Sequence, residues 1–595
     1  MNLKDVFKIT RIQQGQTPFW ERASQFEKVL TLLSISPSTV EMKSYNALRP
    51  ILFHLLLTLV SSRVTFAGSA TWNLNPTSVD WNTAANWTPA TIPNGPNDVA
   101  TFGASSITAL SLSEENTEVN GIVFGAGASA FNIKVGSAGG PLLISGAGVE
   151  NNSGITQNFA TVRDLSGGYG EIQFMNNAKA GVDTVYRIGE PTDHTVGSDL
   201  TDSFFWDNSS ADHATLITET SSVYFVDNST AAQATILNAD GAYPAGHIWF
   251  EGNSTAGDAV ITNAGSRKPG GAAGFTYFLG FASAGNATIV VEGGANGGPG
   301  AYVVFDQGST IGQATIMAMG GSGEGNGGLI TIGKDSAGGD GRILLFGNSK
   351  LDISFHHLSS GVTIGSLQGE GTVFLGANTL AIGSNNLSTT FTGKIRNGGS
   401  FGGNNGAFVK IGKGSLTLTN ANTYGGGTTV SRGTLLVTNR NGSATGVGPV
   451  QVIGGTLGGN GIIAGPVTMG TGKAPTFLAP GNSSSTAVLT LQGSLTFNNQ
   501  ANYAVKVDGS AVDADEVIAN GVTINGGTSI TFTDIGGVTV QVGVTLPIIN
   551  NISATPILGT FGNLADGSIV TVRNNKFQVN YEGGDGNDLV LVSVR

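Results

Sequence analysis

The sequence predicts an all-β protein built as a right-handed parallel β-helix with an N-terminal cap. Glycine accounts for 91 of 595 residues, about twice its usual share of ~7%, while charged residues make up 11%. Short apolar runs recur at intervals of 20–31 residues along the chain. Elsewhere Leu alternates with Thr in the period of two that β-strands require. Together these features favour stacked short strands joined by glycine turns.

A phenylalanine repeat lies between residues 170 and 320. Each copy has Phe, then Asn or Gly three positions later, a small or apolar residue six positions later, and usually Ala-Thr-Ile from nine positions later. The copies begin at Phe174, Phe205, Phe225, Phe250 and Phe305, with a shortened copy aligned on Phe281. Units this short cannot bury their own apolar faces, so they are expected to stack as solenoid coils rather than form propeller blades of ~40–50 residues. We expect the Phe rings to lie inside and the turn Asn side chains to form an amide ladder between coils.

A second repeat type occupies residues 410–439. Leu416 and Leu418 alternate with Thr, and Leu435 and Val437 do the same. A Tyr-Gly-Gly-Gly turn and a Thr-Thr-Val strand lie between these two pairs. The segment therefore predicts three short strands with apolar side chains on one face.

The order of these motifs carries a family resemblance. Gly-x-Leu-Thr-Leu, Asn-Thr-Tyr, Gly-Gly-Thr-Thr-Val and Gly-Thr-Leu resemble the autotransporter-associated β-strand repeat, or passenger-associated transport repeat, with the best match at 408–438. Motifs at 455–463, 478–482 and 580–591 resemble the usual sequel in such proteins. The resemblance implies a bacterial, exported, passenger-like β-helix. Autotransporters end in a membrane barrel of ~10-residue alternating strands; the Gly- and Asn-rich residues after 438 depart from that pattern, so we expect no barrel.

Residues 42–67 predict a secretory signal peptide. The apolar run 51–60 follows two basic residues and precedes small residues, which is the order found in such peptides. The run is shorter than the ~20 residues of a membrane span. Because Met42 is a natural start for this segment, residues 1–41 are interpreted as a spurious or additional extension. The alternative is a buried helix or an uncleaved anchor; we expect cleavage and no membrane span after it.

Composition bears on the partners. The chain has no Cys, which rules out disulfides, thiolate metal sites and cysteine nucleophiles. Its formal net charge is −12, whereas nucleic-acid binding requires a basic face, so no nucleic-acid partner is expected. An acidic, weakly charged surface fits contact with extracellular glycans or other cell-surface components.

Three tryptophans cluster where the predicted β-helix begins. They are Trp72, Trp81 and Trp87. We expect them to form a hydrophobic cap over the first coil, as every solenoid needs one. The alternative is a set of exposed rings that stack on sugars.

A glycine-rich motif near the C-terminus is a weak calcium candidate. Residues 583–590 fit the Gly-Gly-x-Gly-x-Asp pattern of Ca²⁺-binding β-rolls, with Asp585 and Asp588 as candidate ligands. Such sites draw ligands from successive copies, whereas this sequence has one. A glycine turn before a last strand at 589–592 is therefore the preferred interpretation, and no cofactor is expected otherwise.

The densest acidic cluster comprises Asp513, Asp515 and Glu516, with Asp508 nearby. Paired carboxylates can hydrolyse glycosides when they are held at suitable separations. No basic or His partner lies close in sequence, so we expect a solvated loop. We assign no catalytic or cofactor-binding residue.

The predicted organisation has six parts. They are an extension at 1–41, a signal peptide at 42–67, a capping region with first coils at 68–165, Phe-repeat coils at 166–360, coils with the second repeat at 361–470, and a β-rich module at 471–595. The expected role is structural, adhesive or surface-binding, outside the cell or at its surface, with the periplasm as a further location. The alternative is an extracellular polysaccharide lyase or glycoside hydrolase on the same scaffold.

Overall fold

The computed structural model describes residues 68–595 except 115, 137–139, 163–169, 191–201, 242–244 and 358–360. The predicted extension and signal peptide lie outside the described residues. The described part is all-β, with a 3-10 turn at Ala84–Asn86 as its one helical element. The described residues contain no helix that could span a membrane.

Parallel strands stack along three faces of a β-helix, as the repeats predicted. One coil passes through Ser203–Phe205 on the first face, Ser210 on the third and Thr215–Thr218 on the second. The next coil repeats this path in register, with Phe205 opposite Phe225 and Leu216 opposite Ile236. Single bridges on the third face widen into a sheet from Thr310 onward.

Sheet 1 covers the first face in the N-terminal and central coils. Its 15 strands are Ala70–Trp72, Trp87–Thr88, Gly95–Phe102, Thr117–Phe124, Pro141–Asn151, Glu171–Phe174, Ser203–Phe205, Ser222–Phe225, His247–Phe250, Phe275–Phe278, Tyr302–Phe305, Leu329–Ile332, Lys350–Asp352, Thr372–Phe374 and Lys394–Arg396. All pair in parallel except Trp87–Thr88, which pairs antiparallel at the N-terminal edge.

Sheet 2 forms the second face along almost the whole β-helix. Its strands are Ala109–Ser111, Asn132–Val135, Gln157–Val162, Thr184–Glu190, Thr215–Thr218, Thr235–Asn238, Val260–Asn263, Thr288–Val291, Thr315–Ala318, Arg342–Leu345, Ser366–Gly369, Thr389–Phe391, Ser415–Leu418, Thr434–Val437, Gly455–Gly459, Thr476–Pro480, Ala501–Asp508, Asp513–Ala514 and Ser529–Asp534. Parallel pairing runs from coil to coil, and Asp513–Ala514 folds back antiparallel on the preceding strand.

Sheets 3 and 4 complete the C-terminal half. Sheet 3, on the third face, comprises Thr310–Gly312, Gly338–Gly339, Val362–Ile364, Thr379–Ile382, Ala407–Lys410, Thr428–Val430, Val450–Val452, Val467–Met469, Leu495–Phe497 and Val522–Ile524. Sheet 4 comprises Ile462–Ile463, Val488–Leu491, Glu516–Ala519, Thr545–Asn551, Ile569–Val572, Asn575–Gly583 and Asp588–Val594. The last two strands form an antiparallel hairpin.

The repeat phenylalanines form a continuous stack inside the β-helix, as predicted. Centroids of neighbouring rings lie 4.5–4.8 Å apart and ring planes differ by 5–9°, through Phe174, Phe205, Phe225, Phe250, Phe278 and Phe305. This spacing matches the ~4.8 Å rise between parallel strands. The copy aligned on Phe281 was wrong: Phe281 is 76% exposed. The copy starts at Phe278 and has full length, and Phe281 lies in its turn.

The turns after Phe205, Phe225 and Phe250 carry the predicted amide ladder. Asn253 Nδ2 donates to Asn228 Oδ1 at 3.3 Å, and Asn228 Nδ2 donates to Asn208 Oδ1 at 3.4 Å. The residue before each turn Asn has a left-handed φ, 56° at Asp227 and 67° at Gly252. Short polar residues and glycine tolerate that conformation best, which accounts for part of the glycine content.

Two glycine-rich loops, 292–301 and 319–328, pack backbone against backbone beside this stack. The amide of Gly294 donates to Asn326 O, and the amide of Asn326 donates to Gly298 O. A Cβ on Gly325 would lie 2.0 Å from Gly294 O. Side chains are therefore excluded at such positions, and the glycine pattern here is a packing requirement.

Aromatic side chains close the N-terminal end. Trp72, Trp81 and Trp87 are at most 2% exposed and pack around Phe102, with Trp81 and Trp87 centroids 5.0 Å apart. The predicted cap is confirmed. The alternative of sugar-stacking rings was wrong, because these ring faces are covered by one another.

The first face is interrupted between sheets 1 and 4. From 397 to 461, a fully described stretch, two coils have no strand on this face. Asn422 bridges the gap: the Ile395 amide donates to Asn422 Oδ1 at 2.7 Å, and Asn422 Nδ2 donates to Ala444 O at 2.5 Å. One side chain thus joins the preceding and following coils.

Candidate functional site on the outward face of sheet 1

Three columns of outward-facing side chains run along sheet 1 beside the buried phenylalanine stack. Side chains alternate across a strand, so the positions three and one before each buried Phe from Phe205 to Phe305, and one after it, point away from the core. We call the following set the aromatic–acidic face: Asp202, Phe204, Trp206, Ser222, Tyr224, Val226, His247, Trp249, Glu251, Phe275, Tyr277, Leu279, Tyr302, Val304 and Asp306. Most of these side chains are half-buried against one another.

The aromatic rings of this face form two columns that follow the strand register. Trp249 and Tyr277 stack with centroids 4.5 Å apart, and Phe275 and Tyr302 stack at 4.7 Å. Between columns the rings are perpendicular, as for Phe275 and Tyr277 at 5.4 Å and 89°. Rings within a column cover one another's faces, so a partner meets mainly ring edges and Tyr hydroxyl groups.

Carboxylates lie among these rings. Burial raises the pKa of Asp202, and a hydrogen bond from the main-chain amide of Ser222 opposes that shift. Burial likewise raises the pKa of Asp306. Burial raises the pKa of Tyr224, and the nearby carboxylates of Asp202 and Glu251 raise it further. The face therefore combines apolar surface with negative charge.

Ser222 and His247 form a buried pair within the face. His247 Nδ1 lies 2.9 Å from Ala245 O and must carry a proton to donate there, so Nε2 accepts from Ser222 Oγ at 2.6 Å. Burial lowers the pKa of His247, which favours this neutral form. Ser222 is fully buried and cannot reach a substrate, so the pair orders the sheet surface and does not form a nucleophile with its base.

The predicted acidic loop is a structural clasp. Asp515 is fully buried and its Oδ2 lies 2.6 Å from Lys506 Nζ, which also donates to Pro480 O. Asp513 accepts from Thr486 Oγ1 at 2.6 Å. The expectation of a solvated loop without a basic partner was wrong for Asp515, because antiparallel pairing of 501–508 with 513–514 brings Lys506 beside it.

The calcium candidates lie at the C-terminal hairpin turn. Asp588 Oδ1 accepts from the Asn551 amide at 2.8 Å, and Asp585 is exposed. Gly584 has φ 59°, and a Cβ there would lie 1.8 Å from Asp588 Oδ2. Among the described residues no group of three or more His, Asp or Glu side chains could hold a metal ion. Both residues belong to the turn between the last two strands, which pair antiparallel.

The Leu-Thr repeat segment is held by buried polar side chains. Tyr424 is buried, and its hydroxyl oxygen lies 2.6 Å from Thr428 Oγ1, which donates to Thr445 O. Lys410 is 1% exposed; its Nζ donates to the carbonyls of Ile411, Gly412 and Arg432. Leu416, Leu418, Leu435 and Val437 fill the interior as predicted. The motif residues thus build a coil rather than a binding pocket.

The coil built by this segment is similar to a known repeat of autotransporter passengers. The family model described as Passenger-associated-transport-repeat matches residues 408–437. The chain is 40% identical over 117 residues to the adhesin BmaC autotransporter of Brucella suis biovar 1 (strain 1330). That match covers 18% of this chain and 3% of the relative.

A solved adhesin structure aligns with this chain at a low structural similarity. The Haemophilus influenzae Hap adhesin crystal structure aligns with 84% of this chain and 59% of its own, at 12% identity and a TM-score of 0.26. The fold of this chain is established by its own parallel coils and not by this alignment.

The sequence reasoning missed the aromatic–acidic face. Its signal was present: an aromatic residue precedes the buried Phe directly at Phe204, Tyr224 and Trp249. The repeat is defined by its interior positions, and these do not reveal which residues the outward positions of successive coils share.

Proposed function

We propose that this chain is an exported, passenger-like β-helix whose role at the bacterial cell surface is adhesive, with its long stacked faces as the binding surface. The aromatic–acidic face carries the proposal, because contiguous apolar surface on a rigid sheet is typical of interaction sites. The similarity to an autotransporter adhesin supports the same role. Periplasmic residence is the alternative location.

We assign binding and no catalysis to the chain. The carboxylates considered for glycoside hydrolysis support this choice: Asp515 is committed to Lys506, and Asp513 to Thr486 and to the amide of Ala514. A catalytic acid and base need free access to the scissile bond. Among the described residues, these two carboxylates are instead engaged in an ion pair and hydrogen bonds within the chain.

Surface labelling and adherence assays test the function. Antibodies against the chain should label intact producing cells, and deletion of its gene should lower adherence to host-cell or matrix-coated surfaces, with restoration by the complete gene. Labelling confined to permeabilised cells would contradict surface exposure. Unchanged adherence after deletion would contradict the adhesive role.

A further inference from the structure

The charges on the aromatic–acidic face have one sign. Of its outward positions, all of them described, those that carry a formal charge are Asp202, Glu251 and Asp306, while His247 is neutral in its hydrogen-bonding arrangement. Neither Lys nor Arg occurs in the set, although Lys334 and His357, from the following coils, lower the pKa of Asp306 at its C-terminal edge. Apolar rings surrounding carboxylates create a surface that complements a partner carrying cations on apolar stems.

Two polar atoms of the face are buried without a hydrogen-bond partner. Asp202 Oδ1 lacks a donor and Trp249 Nε1 lacks an acceptor. An unsatisfied buried polar group costs free energy, so a ligand that supplies both a donor and an acceptor gains by binding here. A polypeptide does so, because a Lys or Arg head group donates and a main-chain carbonyl accepts.

From these observations we propose that the aromatic–acidic face binds an extended polypeptide segment bearing Lys or Arg side chains. The inference rests on the proposed adhesive function and names the binding face and the partner class. Lys and Arg lay aliphatic stems on apolar surface while their charged heads reach polar groups. Here the stems lie on ring edges, and the heads pair with Asp202, Glu251 and Asp306.

The dimensions suit such a segment. The five coils span about 19 Å at ~4.8 Å per coil, which is the length of about six extended residues. Coils containing Glu251 and Asp306 are two steps apart, so about 10 Å separates the two charged positions along the axis. A neutral glycan offers no positive charge to these carboxylates, and the stacked columns already cover the ring faces that sugars use.

Peptide titration with charge-matched variants tests the proposal. A fluorescein-labelled oligolysine peptide is titrated with the purified full chain and followed by anisotropy at low and high salt. Glu251→Gln/Asp306→Asn should weaken binding about tenfold or more, since charge-assisted hydrogen bonds are lost. Asp258→Asn/Glu324→Gln is the control, because it removes the same charge from exposed positions elsewhere. Equal weakening by both pairs would show attraction to net charge alone and overturn the proposal.

Further arms separate other partners. Trp249→Phe keeps an aromatic ring at this position and removes the indole N–H, so it should weaken peptide binding several-fold while spermine binding stays unchanged. Peptide binding that is insensitive both to salt and to Glu251→Gln/Asp306→Asn would overturn the proposal. The proposal would also be overturned if the wild type bound neutral cello-oligosaccharides and Glu251→Gln/Asp306→Asn abolished that binding. Cell adherence is measured separately. If cells with the wild-type chain adhere and cells with the Glu251→Gln/Asp306→Asn variant adhere equally well, the inference alone is contradicted. If cells with the wild-type chain do not adhere, the proposed function is contradicted and the peptide result still stands.

Discussion

Phe250 and Phe278 stack face to face inside the β-helix, with ring centroids 4.7 Å apart and planes 5° apart. Their coils differ in length from neighbouring coils, because loops such as 264–274 lie between the second and first faces. The loops absorb the difference in length while the stacked rings keep strand register. Burial of the same ring at the same position of each coil is therefore what joins coils of unequal length.

The register of this stack predicts different costs for two neighbouring phenylalanines. Phe278→Ala should lower the free energy of unfolding by about 3–5 kcal/mol, because it removes a fully buried ring and leaves a cavity. Phe281→Ala should change it by less than about 0.5 kcal/mol, since that side chain is exposed. Urea denaturation of both variants measures the difference. Equal costs would contradict the register described here.

Interior positions were predictable from sequence because their signal is local and repeated. The buried Phe recurs with Ala or Ile at fixed offsets, and Leu416 alternates with Thr within one strand. The Phe281 alignment failed because the turn also contains an aromatic residue, and composition alone does not distinguish turn from interior. The Lys506–Asp515 pair could not be predicted, because it depends on a short strand folding back on its neighbour.

We expect the free energy of unfolding to depend strongly on Asn422, which lies where the first face has no strand. Asn422→Ala removes two hydrogen bonds, to the Ile395 amide and the Ala444 carbonyl, and leaves both groups without that partner. The expected loss is about 2–4 kcal/mol of unfolding free energy. Asn441→Ala is the control because Asn441 is exposed in the next coil. Denaturation midpoints that coincide for both variants would contradict the bridging role.

Lys410 predicts a pH dependence in the alkaline range. Burial lowers the pKa of Lys410 to about 8, whereas an unfolded lysine titrates near ~10.4. Between these values the unfolded chain binds more protons, so the contribution of Lys410 to the free energy of unfolding increases with pH, by up to about 3 kcal/mol in total.

A pair of variants isolates this contribution from other titrating groups. The difference in unfolding free energy between wild type and Lys410→Met should grow in favour of wild type from pH 8 to 10. Lys413→Met, at an exposed position in the following turn, should show a constant difference. A flat profile for Lys410→Met would mean that burial does not disfavour the charged lysine.

The Lys506–Asp515 pair predicts a large cost for removing one partner. Lys506→Met leaves a fully buried carboxylate without its cation, although the amides of Ala487 and Lys506 still donate to it. The expected loss is about 3–5 kcal/mol at neutral pH. Burial already holds the pKa of Asp515 above its ordinary value. In the variant, therefore, stability should be higher at acid pH and fall as pH rises through that pKa.

A second substitution distinguishes lost charge pairing from lost packing. Lys506→Met/Asp515→Asn removes the unpaired charge, while the amide oxygen still accepts a backbone hydrogen bond, so it should recover at least about half of the loss. Lys576→Met, at an exposed position of the C-terminal hairpin, should leave urea midpoints unchanged. If the double variant were no more stable than Lys506→Met at neutral pH, packing of the lysine stem rather than charge pairing would stabilise this segment.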